Sequence, residues 1–75
     1  METVDFLVHI DETLDESALE AIENSILDGK AVAAASHHAD NLHIIQVVYD
    51  SNLTHASDIV QAIRRHGVNA QAVGL

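Results

Sequence analysis

Cysteine is absent from this chain, which excludes disulfides, thiolate metal sites and cysteine nucleophiles. Proline and tryptophan are absent too, and aromatic mass is limited to Phe6 and Tyr49. Valine, isoleucine, leucine and alanine must therefore fill any core. Basic residues are scarce: 3 Lys and Arg stand against 12 Asp and Glu, a formal net charge of −9. The imbalance is local. Residues 1–29 carry Glu2, Asp5, Asp11, Glu12, Asp15, Glu16, Glu20, Glu23 and Asp28 without a single Lys or Arg. Such a field repels phosphate backbones and anionic lipid, so nucleic acid is excluded as a partner, while a cation or a basic protein face is favoured. No apolar run approaches the ~20 residues that cross a bilayer, and the acidic N-terminus does not read as a signal peptide. The expectation is a cytoplasmic protein with no membrane insertion.

What is present is a 48% apolar content over 75 residues, enough for one domain spanning 1–75. Thr3–Ile10 alternates, with Val4, Phe6, Val8 and Ile10 on one side, and reads as a strand with one buried face. Thr13-x-x-Glu16 is a capping-box spacing that opens a helix to about Asp28, with Ala18, Leu19, Ile22 and Ile26 as its apolar stripe and Gly29 as its stop. Glu12, Glu16, Glu20 and Glu23 line another side at three- and four-residue spacing. Residues 31–49 read as a hairpin turning at Ala39-Asp40-Asn41, and Leu42–Tyr49 is its clearer arm. Thr54 is placed to cap a second helix bearing Ile59, Val60 and Ile63, which Gly67 ends before a last strand, Val68–Val73.

The order βαββαβ predicts a ferredoxin-like α+β sandwich. Its four antiparallel strands lie in the order 4-1-3-2, with two helices on one face. In that topology the loop after strand 1, the hairpin tip and the link from helix 2 to strand 4 share one end. His9, Asp11, Glu12, Asp15, His37, His38, His43 and His66 all fall there, while His55 falls at the other end. A two-residue turn at Asp40-Asn41 would set His38 directly opposite His43, at a Cβ separation of ~5 Å. Two imidazoles so opposed can chelate Zn²⁺, Ni²⁺, Co²⁺ or Cu²⁺, with Asp11, Glu12, Asp15 or His9 completing a site.

Val47-Val-Tyr-Asp50, Thr54, Ile59, Ala62-Ile63 and Gly67-Val-Asn-Ala70, together with Leu19-Glu20 and Gly29, resemble the heavy-metal-associated domain family. These are small metallochaperones and the N-terminal modules of metal-transporting ATPases. The resemblance implies the same fold, no enzymatic activity and a role in metal transport. The family's Met-x-Cys-x-x-Cys loop is missing: Ile10 stands at the methionine position, Glu12 at the first cysteine and Asp15 at the second. Cu(I) held by paired thiolates is thereby excluded, because carboxylates are hard ligands.

Enzymatic readings lack support. The first loop is acidic where acylphosphatases of this topology cradle phosphate. The open sheet face carries Leu7, His9, Ile44, Gln46 and Val48 rather than the aromatics on which RNA bases stack. Two readings of a non-enzymatic module stand. One binds a borderline divalent ion through His38, His43, His9, Asp11, Glu12 and Asp15. The other binds no metal and docks a basic protein through acidic helix 1, or a partner or second copy on the open sheet face.

Overall fold

The computed structural model describes residues 2–73. The elements are β1 (Thr3–Ile10), α1 (Glu16–Leu27), β2 (Val32–His38), β3 (Asn41–Asp50), α2 (Ala56–Arg64) and β4 (Ala70–Val73). The strands form one sheet in the order β2-β3-β1-β4, antiparallel throughout. Read from its other edge, this is the expected 4-1-3-2. The alternation in β1 buries Phe6, Val8 and Ile10, while Val4 at the strand's start is 39% exposed. β3 answers with Ile45, Val47 and Tyr49, in a register that sets Phe6 opposite Val47 and Val8 opposite Ile45. Phe6 and Tyr49 meet edge to face, with ring centroids 5.5 Å apart, a geometry that suits two aromatic quadrupoles. Leu19, Ile22 and Ile26 of α1 and Ile59, Val60 and Ile63 of α2 close the core from the helical side. Among the described residues no helix is long and apolar enough to cross a membrane.

Several local expectations are corrected. Helix α1 is capped by Asp15, not Thr13: Asp15 is extended (φ −79°, ψ 169°), and its Oδ1 accepts the Ala18 amide at 2.8 Å. A carboxylate at this position satisfies an amide that has no intrahelical acceptor and also suits the helix dipole, which settles the start two residues later than the capping-box spacing. The helix ends at Asp28, and Gly29 is not left-handed. Of the described residues Gly67 alone has positive φ, at 86°, as its place after α2 requires. Val68 precedes β4, half-buried against the core, instead of starting the strand.

The cap of α2 is His55 rather than Thr54, and no side chain fills it. Asp50 organises the chain just before: its carbonyl accepts from Leu53 and Thr54, and its buried carboxylate accepts from Asn52. Because His55 already has cap geometry (φ −122°, ψ 152°), His55→Ser is expected to stabilise the domain by about 1 kcal/mol. Thermal denaturation should show this as a rise in Tm of roughly 4–8 °C.

The hairpin turns at Ala39-Asp40, one residue earlier than a turn at Asp40-Asn41. Its register pairs His38 with Asn41, so the expected opposition of His38 and His43 does not occur. The ladder is interrupted between Ser36 and His38, and this irregularity decides the pairing at the tip.

Candidate functional site

The three connections predicted to share an end do meet there. The Asp11 amide donates to the Asn69 carbonyl at 2.9 Å, joining the first loop to the α2–β4 link. Glu12 completes the join: its Oε1 accepts the Asn69 backbone amide and its Oε2 the Asn69 side-chain amide, both at 2.9 Å. The Gln71 amide donates to Asp11 Oδ1 at 3.1 Å and lies 3.1 Å from His9 Nδ1. From the hairpin side, His43 Nδ1 is 2.8 Å from the Ile10 carbonyl.

Of the six residues expected to be ligands, the fold gathers His9, Asp11 and His43 and separates Glu12, Asp15 and His38. The His9 and His43 rings stack, with centroids 5.8 Å apart and planes 14° from parallel. His9 Nδ1 is 3.2 Å from Asp11 Oδ1. Glu12 is held by Asn69, Asp15 caps α1, and His38 is exposed at the hairpin tip. A carbonyl can only accept, so His43 Nδ1 carries the proton and a neutral ring leaves its lone pair on Nε2, the tautomer suited to a metal ligand. Stacking works against chelation, however. Imidazole lone pairs lie in the ring plane, and two nearly parallel planes do not aim them at one point. Among the described residues no three His, Asp or Glu groups converge as a metal site requires.

Two histidines placed at this end by topology turn their rings to α1 instead. His66 Nε2 is 2.7 Å from Ser25 Oγ, whose hydroxyl donates to the Ile22 carbonyl at 2.8 Å. Ser25 thus accepts from His66, the reverse of a nucleophile giving its proton to a base. His37 enters a more buried arrangement. Its Nδ1 is 2.9 Å from Glu23 Oε2 and its Nε2 is 3.3 Å from Glu16 Oε1. The Glu23 hydrogen bond, followed by the Glu23 and Glu16 charges, raises the His37 pKa above its ordinary value against the opposing effect of burial.

Glu23 belongs by spacing to the acidic series Glu12, Glu16, Glu20 and Glu23, yet it is only 6% exposed. The signal was in the spacing. Leu19 lies four residues before Glu23 and Ile26 three after it, so Glu23 shares the core-facing stripe. Asn69 left no comparable signal, since its partner Glu12 lies 57 positions away.

No family model matches this chain, and no curated protein does. Solved structures do. A copper-binding domain of the P-type ATPase HMA7 is 21% identical over 93% of each chain, with a TM-score of 0.81. The yeast copper transporter domain Ccc2a is 17% identical over 93% of this chain and 94% of its own, at 0.79. Oxidized MerP from Ralstonia metallidurans is 11% identical over 97% of this chain and all of its own, at 0.83. The fold is therefore that of the heavy-metal-associated domains, on a chain that has no cysteine.

Proposed function

We propose that this chain is a small non-enzymatic binding module on the heavy-metal-associated architecture, and that it docks a basic protein face through the acidic side of α1 without a resident metal ion. One observation carries the reading: the two carboxylates at the family's thiolate positions are occupied within the protein. Glu12 closes the first loop onto Asn69 and Asp15 caps α1. The loop is thus held without a cation. What remains is charge: Glu16, Glu20 and Asp28 are exposed along a helix that has no Lys or Arg, with one Glu16 oxygen turned to His37.

A lysine-rich peptide added to isotope-labelled protein is expected to shift the amides around Glu16, Glu20 and Asp28. Glu20→Lys and raised salt should both weaken the effect. Shifts confined to the sheet face, or indifferent to salt, would overturn the reading.

A second reading is favoured by the His43 tautomer. Its Nε2, beside His9 and Asp11, could take Zn²⁺, Ni²⁺, Co²⁺ or Cu²⁺ once the His9 ring rotates out of the stack, with Glu12, Asp15 or His38 reaching it only by giving up their present places. Saturable shifts of the His9 and His43 resonances on adding each ion, lost in His43→Ala, would favour it over the first.

A further inference from the structure

The two outer edges of the sheet differ. At β4 the Asp11 amide pairs with the Asn69 carbonyl, so Ala70, the next residue, turns its own carbonyl away from β1. Arg64 Nε of α2 covers that carbonyl, donating to it at 2.8 Å, and β4 is only four residues long. The other edge, β2, runs seven residues and holds no Lys, Arg, Asp, Glu or Pro, the residues that blunt an exposed strand. Among the described residues no side chain bonds to its backbone. Between two irregularities in the ladder, Ala34, Ala35 and Ser36 pair in step with Val48, Val47 and Gln46 of β3. In antiparallel geometry alternate residues of such a stretch turn N–H and C=O outward, where no further strand meets them.

The helix above this edge decides what suits it. α1 packs on β2, and its Glu16 and Glu23 carboxylates reach His37. Glu20 lies between them at helical spacing, so it shares their side and is exposed toward the β2 edge. A strand added outside β2 would run about 4.8 Å from it, with every second side chain on the helical side of the sheet. We infer that β2 takes such a strand: an extended partner segment with lysine or arginine at alternate positions pairs with its outer edge and sets those side chains beside Glu16 and Glu20. This rests on the basic-partner reading above and names the conformation in which that partner docks. A second copy fits the edge less well. Two β2 strands paired antiparallel would join the sheets about a two-fold axis and bring both α1 helices together on one face, acid against acid.

The test uses isotope-labelled protein and an end-blocked peptide as long as β2, with lysine at every second position. Its binding should slow hydrogen exchange at β2 amides within residues 32–36 and give backbone-to-backbone nuclear Overhauser contacts with them, besides salt-sensitive shifts at Glu16 and Glu20. A fully N-methylated copy keeps the charge but has no backbone donor, and should bind at least about tenfold more weakly. A copy with glutamate in place of lysine should leave β2 exchange unchanged. Equal binding of the lysine peptide and its N-methylated copy, with shifts on α1 and unaltered exchange in β2, would overturn the added strand and leave charge docking on α1 standing. Binding by neither at low salt would overturn both. Equal protection by the glutamate peptide would overturn the basic character of the partner. Protection of β2 that rises with protein concentration in the absence of peptide would put a second copy on the edge and overturn the inference as well.

Discussion

A chain carrying Glu12→Cys together with Asp15→Cys is expected to take up a single Cu(I) ion per molecule with thiolate-to-metal absorption in the ultraviolet. The resemblance read from the sequence implies that these residues stand at the family's two cysteine positions, and the chain has the fold of the HMA7 copper-binding domain to which it is similar. A thiol at position 15 would sit at the cap of α1, where the helix N-terminus favours the thiolate. The substitution also has a cost. It removes both hydrogen bonds that Glu12 accepts from Asn69 and the one that Asp15 accepts from the Ala18 amide. Loss of the cap alone costs about 1 kcal/mol, so the metal-free variant should melt below the parent. The ion should then restore stability by linkage, about 2.7 kcal/mol at a free concentration 100 times Kd. Mass spectrometry under non-denaturing conditions and melting with and without Cu(I) would test both halves. Failure to take up one ion would mean that the first loop, even without the Glu12–Asn69 clasp, keeps a shape the thiolates cannot use.

The second large effect lies in the core. Ile45 is fully buried in β3, which is flanked by β1 and β2, and it stands opposite Val8. Ile45→Ala is expected to cost about 2–5 kcal/mol, because the transfer energy of the lost methyl groups adds to an incompletely collapsed cavity. A typical 75-residue domain has only about 4–11 kcal/mol in total, so the variant should be close to unfolding at 37 °C. Ile45→Val should cost about 0.5–1.5 kcal/mol. Urea melts would give both values as shifts in midpoint at unchanged slope. A loss below 1 kcal/mol for the alanine variant would mean that the neighbouring aliphatic side chains close over the gap.

Both predictions start from residues whose roles came from different levels of information. Strand β1, the buried faces of β1 and β3 and the stripe of α2 were legible because each is periodic within a few residues, and periodicity reports which face meets apolar surroundings. From element order and the handedness of crossovers came the sheet order, and with it the convergence of the first loop, the hairpin tip and the α2–β4 link. That three of the six candidate ligands, His9, Asp11 and His43, would lie together was within reach of this argument.

Which side chains touch was not. One residue of difference in the hairpin turn replaced the His38–His43 pair by His38–Asn41, because a strand's register is set by its turn and bulges rather than by composition. Likewise, the sequence shows Glu12 and Asp15 only as acids near a helix start. Their assignment to Asn69 and to the Ala18 amide depends on a chain segment that folding brings back from 57 positions away and on backbone angles at a single cap. Glu23 shows the boundary between the two kinds of information. Its spacing placed it on the core stripe, but only the arrival of His37 from β2 makes burial of that carboxylate tolerable, since a buried charge must find its partner in space. The sequence by itself determined a cysteine-free, acidic, two-layer sandwich. Tertiary structure alone decided that its acids hold the protein's own loops and its histidine.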